Sequence, residues 1–66
     1  MKTIKLQIPG MTHETGRMIV ISALRRLGIY QVKTTSGEAE ITYFEPVKKA
    51  GIIRAIEEEG FIVVNY

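Results

Sequence analysis

With one histidine and no cysteine in the chain, any metal chemistry in the loop at residues 10–16 would rest on the imidazole of His13. A neutral imidazole binds Cu, Zn, Ni and Fe. His13 stands in Gly10-Met11-Thr12-His13-Glu14-Thr15-Gly16, with the Glu14 carboxylate beside it as an oxygen ligand. Acid–base or nucleophilic catalysis asks for more, a reactive group and its partner held together in a cleft. Apart from glutamates, the sequence offers His13 no orienting partner. A phosphate-cradling loop after a first strand, as in acylphosphatases, would carry an arginine, and residues 9–16 contain none. The chain reads as a binding module rather than an enzyme.

The elements that must position this loop follow from periodicity. Ile4, Leu6 and Ile8 alternate with Thr3, Lys5 and Gln7, a half-buried strand that Pro9 and Gly10 end. From about Thr15 the period changes, and Val20, Ala23, Leu24 and Leu27 recur at helical spacing up to Gly28. Ile29, Val32 and Thr34 mark a second strand, Ser36-Gly37 a turn, and Ala39, Ile41 and Tyr43 the inward side of a third. A two-residue turn there sets Lys33 opposite Glu40, an opposite-charge pair worth a few tenths of a kcal/mol. Pro46 after Glu45 suits a helix start, with Ile52, Ala55 and Ile56 as its buried stripe and Gly60 its end. Gly51 weakens its first turn. Residues 61–64 read as a final strand, so the order is βαββαβ, with two helices on an antiparallel sheet.

Size and composition narrow the function. At 66 residues, 45% hydrophobic and 24% charged, with no low-complexity run, residues 1–66 are one domain with one core. A chain this small removes only about 60% of its unfolded surface from water, so every apolar position matters. The lack of cysteine excludes disulfides and thiolate zinc sites. The alternating N-terminus carries neither a signal peptide nor a membrane span, which leaves cytoplasmic residence as the default. A net charge of +2 is too mild to imply nucleic acid, and apart from the pairs Arg25-Arg26 and Lys48-Lys49 the basic residues are scattered. RNA-recognition modules share this element order, but need stacking rings on the open faces of their first and third strands. Those faces here carry Thr3, Lys5, Gln7, Glu38, Glu40 and Thr42.

Gly10-Met11-Thr12, Ala23-Leu24 with Leu27 and Gly28, then Ala39, Tyr43, Ala55-Ile56 and Gly60-Phe61 together resemble the heavy-metal-associated domains of copper chaperones and metal-ATPase N-terminal modules. The resemblance spans nearly the whole chain and is less regular over residues 43–52. It implies a ferredoxin-like sandwich, with two helices on one face of a four-stranded antiparallel sheet. In that family the loop reads Gly-Met-Thr-Cys-x-x-Cys, and two thiolates hold Cu(I) or another soft ion. His13 and Gly16 occupy the two cysteine positions here, which removes the ligands that select soft metals. The binding loop is then Met11, Thr12, His13, Glu14, Thr15 and Gly16, with Met11 packed inward as in the family. The resemblance also brings Glu57, Glu58 and Glu59, at the end of the second helix, near the loop. That would complete a mixed nitrogen and oxygen site for a divalent or heavy metal ion, with His13 and Glu14 as ligands, but no two-thiolate Cu(I) site. The opposing reading is that Glu14 complements the helix dipole, the glutamates are solvated and His13 is merely exposed.

With Val20, Leu24 and Leu27 inward, Met18 and Ile21 fall on the opposite face of the first helix, where family members usually carry polar residues. An exposed apolar pair beside the ligand loop reads either as a contact surface or as scattered surface apolars, and the resemblance places partner docking there. The partner would be a metal-transport ATPase domain or another copy of the chain, with neither nucleic acid nor membrane involved. Two functions follow: metal binding or trafficking through a cysteine-free loop, or a metal-free relative acting as a protein-interaction or regulatory domain.

Overall fold

The structure, a computed structural model, describes residues 1–64. Strand β1 (Lys2–Gln7) is followed by helix α1 (Glu14–Arg25), strands β2 (Gln31–Thr35) and β3 (Glu38–Tyr43), and helix α2 (Lys49–Glu58). The sheet order is β1-β3-β2, and both neighbours of β3 run antiparallel to it. β1 and β2 are therefore parallel, joined across β3 by the α1 crossover.

Strand alternation sets the layers. Leu6, Ala39 and Ile41 are fully buried and Tyr43 nearly so, and they meet Val20, Ala23 and Leu24 of α1 and Ile52, Ile53 and Ile56 of α2 in one core. The turn at Ser36-Gly37 has two residues, with Thr35 opposite Glu38, and the register places Lys33 opposite Glu40 as the sequence predicts. Lys5 faces Glu40 from the other side, so this carboxylate lies between two lysines. On the same open face the Thr3 and Thr42 hydroxyls are 3.1 Å apart.

Four expectations are corrected. Leu27 is 38% exposed. α1 closes with Gly28 at φ +82°, the Gly28 N–H donating to Arg25 O and the Ile29 N–H to Leu24 O. This Schellman closure turns the chain out of helical phase and hands the inward place to Ile29. Second, α2 begins at Lys49 rather than Pro46, because Pro46 lies in a turn closed by Val47 N–H to Phe44 O and Lys48 is still extended. Third, Ala55 is only half-buried, and Ile53 completes the stripe.

Last, the sheet has three strands among the described residues instead of four. Residues 61–64 keep a strand-like burial pattern, with Val63 buried and Ile62 and Val64 exposed. Their bond to β1 is Val64 N–H to Gln7 O at 3.0 Å, and one bond is not a ladder.

α2 is built against its own dipole. Lys48 at the N-cap makes no side-chain cap bond, the first turn has no acid and the last no base. Lys48→Asp is expected to raise stability by about 1 kcal/mol by capping orphan N–H groups and reversing an unfavourable charge. A built Cβ at Gly51 meets nothing within 4 Å. Gly51→Ala is accordingly expected to add about 0.4 to 1 kcal/mol by restricting the unfolded chain. Chemical denaturation checks both, and an unchanged midpoint would contradict this description of the first turn of α2.

Candidate functional site

The loop between β1 and α1 is anchored at its base and free at its tip. Ile8 and Met11 are fully buried. The Ile8 N–H donates to Gly37 O (2.8 Å), the Gly37 N–H to Met11 O (2.9 Å) and the Met11 N–H to Ile8 O (2.9 Å), which ties the loop to the β2–β3 turn. Gly37 takes φ +80°, a left-handed conformation that side chains disfavour. Buried this way, the Met11 thioether is a core group and not a ligand.

Past Met11 the loop opens. Thr12, His13, Glu14 and Thr15 are exposed. His13 is the N-cap of α1, with extended backbone and no side-chain cap bond, while its carbonyl accepts the Arg17 N–H at 3.1 Å. Glu14 lies in the first turn and Arg25 in the last, so α1, unlike α2, is charged in accord with its dipole. The imidazole is thus presented to solvent at the positive end of a helix. Gly16 is half-buried beneath Phe61, whose ring would lie 3.4 Å from a Cβ built on Gly16 and 3.6 Å from one on Gly10. Phe61 therefore roofs Gly16, a contact that the sequence pattern did not reveal because Phe61 reads there as one residue of a strand.

Two of the three glutamates expected near the loop face arginines. Glu59 lies 3.6 Å from Arg26 and Glu58 lies 3.8 Å from Arg54. Among the described residues, no three His, Cys, Asp or Glu side chains are grouped to hold a metal ion. Glu59 lines a groove together with Thr15, Met18, Ile19, Ser22 and Arg26 of α1 and its C-cap.

This fold matches a solved structure. The chain superposes on "CopZ metallochaperone" with a TM-score of 0.86 and 25% sequence identity, covering 96% of this chain and 100% of that one. The chain has a copper-chaperone-like fold. No family model matches the chain, and no curated protein matches it either. No helix among the described residues is long and apolar enough to cross a membrane.

The patch on α1 has different members from those the sequence indicates. Met18 is 60% exposed and Ile19 37%, whereas Ile21 is half-buried. Met18, Ile19, Thr15 and Ser22 line a shallow groove of about 370 Å³ that the Arg26–Glu59 pair closes. A helical wheel sets Ile19 and Ile21 about 100° to either side of Val20. Their spacing alone does not say which flank a neighbouring element covers.

Proposed function

We propose that this chain handles metal as cargo by offering one ligand, His13, from an exposed loop, the remaining ligands coming from a docked partner. The observation that carries this reading is the exposed imidazole at the N-terminus of α1, in a chain with a copper-chaperone-like fold. One imidazole holds a metal weakly, so a shared site is the form that suits this chain. The cargo would be a divalent or heavy metal ion and not Cu(I) held by two thiolates. The partner would be a metal-transport ATPase domain or a second copy of the chain, seated on the Met18 and Ile19 groove beside the loop. Cytoplasmic residence belongs to the same proposal. We read the chain as a binding module and not an enzyme, a reading supported by its likeness to a metallochaperone structure.

A specific observation favours a second reading, a metal-free interaction domain: Glu58 and Glu59 face arginines while both cysteine-equivalent positions lack thiols. Titration with Zn(II), Cu(II), Ni(II) and, without oxygen, Cu(I), followed by amide NMR shifts, separates the two. Saturable shifts confined to residues 12–16 and lost in His13→Ala are expected for metal handling. Their absence at millimolar metal would leave the interaction domain. In either case Met18→Lys is expected to leave folding intact and to abolish self-association or partner binding. A sedimentation profile and partner set identical to the parent's would remove the groove from the proposal.

A further inference from the structure

The end of the molecule away from the loop carries a second surface. Lys2 pairs with Tyr43 at that end of the sheet, and α1 finishes there. Leu27, Tyr30, Phe44 and Pro46 line a groove of about 330 Å³, with Tyr30 74% and Phe44 56% exposed. Beside it, a hollow of about 700 Å³ is lined by Lys2, Lys48 and Lys49 with one acid, Glu45. None of the three lysines has an ion-pair partner among the described residues.

Two observations point to a ligand. Tyr43 is 5% exposed and lines both hollows, and its hydroxyl makes no hydrogen bond among the described residues. Among the described residues no side-chain polar atom is both buried and unpartnered, so this hydroxyl is the part of Tyr43 that opens to solvent. The N-terminus of α2 opens here without a side-chain cap, and both lysines add to its positive end. Helix stability favours acids at this position. A carboxylate from outside would cap the N–H groups and neutralise the lysines together.

We propose that this pole docks a short acidic segment of a partner protein, with an aromatic side chain in the groove beside Tyr30 and Phe44 and carboxylates over Lys2, Lys48, Lys49 and the start of α2. Charge complementarity selects the acid, and the apolar groove beside it selects a segment that also carries a ring. The surface is separate from the loop and does not depend on metal handling.

The probe is an acetylated, amidated peptide, Glu-Asp-Phe-Glu-Asp-Leu, titrated into the full chain with amide NMR detection. Saturable shifts over residues 27–31 and 43–51, none over 10–16, and weakening with salt are expected. Lys48→Asp/Lys49→Glu and, separately, Phe44→Ser should each weaken binding by roughly tenfold or more. The first variant fills the vacant cap, so its loss of binding is not a loss of fold. Lack of shifts, or shifts centred on the loop, overturns the proposal. So does a peptide with Ala for Phe binding equally well, inorganic phosphate reproducing the full effect, or phosphatidylserine vesicles engaging this pole where the peptide does not.

Discussion

The double variant His13→Cys/Gly16→Cys is expected to retain Cu(I) in equimolar amount against a chromophoric chelator that strips the parent completely. Position 16 decides whether a thiol fits. Its φ is not positive, and a built Cβ there meets Phe61 and the Met11 backbone at 3.4 Å or beyond, ordinary contact distances. Position 13 is exposed and its side chain caps nothing, so the exchange disturbs little. Both thiols would stand at a helix N-terminus, which favours the thiolate, and paired thiolates select soft ions. The expected gain is several orders of magnitude in affinity, each worth about 1.4 kcal/mol. Anaerobic chelator competition on the parent, both single variants and the double variant checks it. Copper retention by the double variant no better than the parent's would mean that this loop departs from a metal-binding geometry despite the shared fold.

Leu24→Ala and Ile56→Ala are each expected to destabilise the chain by about 2 to 5 kcal/mol. Both side chains are fully buried, one on each helix, in the core beneath β1 and β3. A chain of this length has a total stability of only about 3 to 10 kcal/mol. Either change therefore lowers the midpoint of thermal unfolding by roughly 8 to 40 °C, or leaves the chain unfolded at room temperature. Leu27→Ala is the internal control. Sequence spacing treats Leu27 as equal to Leu24, but its 38% exposure predicts a much smaller loss. Circular dichroism melts of the three variants suffice, and equal losses at Leu24 and Leu27 would refute the turn-out of the chain at Gly28.

The elements were legible wherever one period ran unbroken. Ile4 and Leu6 announced β1, Val20, Ala23 and Leu24 the buried face of α1, and Ser36-Gly37 the turn that fixes Lys33 opposite Glu40. Burial repeats in phase with the backbone, and a glycine that must take positive φ marks the chain reversal. The ends were less legible. Pro46 has the chemistry of a helix start but lies in a turn, and Leu27 has helical spacing but sits past the end of α1 in a tightened turn, its N–H bonded to Leu24 O, just before the chain reverses at Gly28.

By itself, the sequence determined what chemistry this protein lacks: without cysteine there is no thiolate, and a single imidazole follows from the residue list whatever the fold. It also determined most of the core, through the period of apolar side chains, though not Leu27, Ala55 or Ile53. Only the tertiary structure decided which groups meet. It set Phe61 over Gly16, placed Glu59 beside Arg26, exposed Ile19 rather than Ile21, and left three lysines beside an aromatic groove at the far pole. The physical reason is that periodicity fixes a side chain's direction from its own element. What stands in that direction depends on how another element, distant in sequence, packs against it.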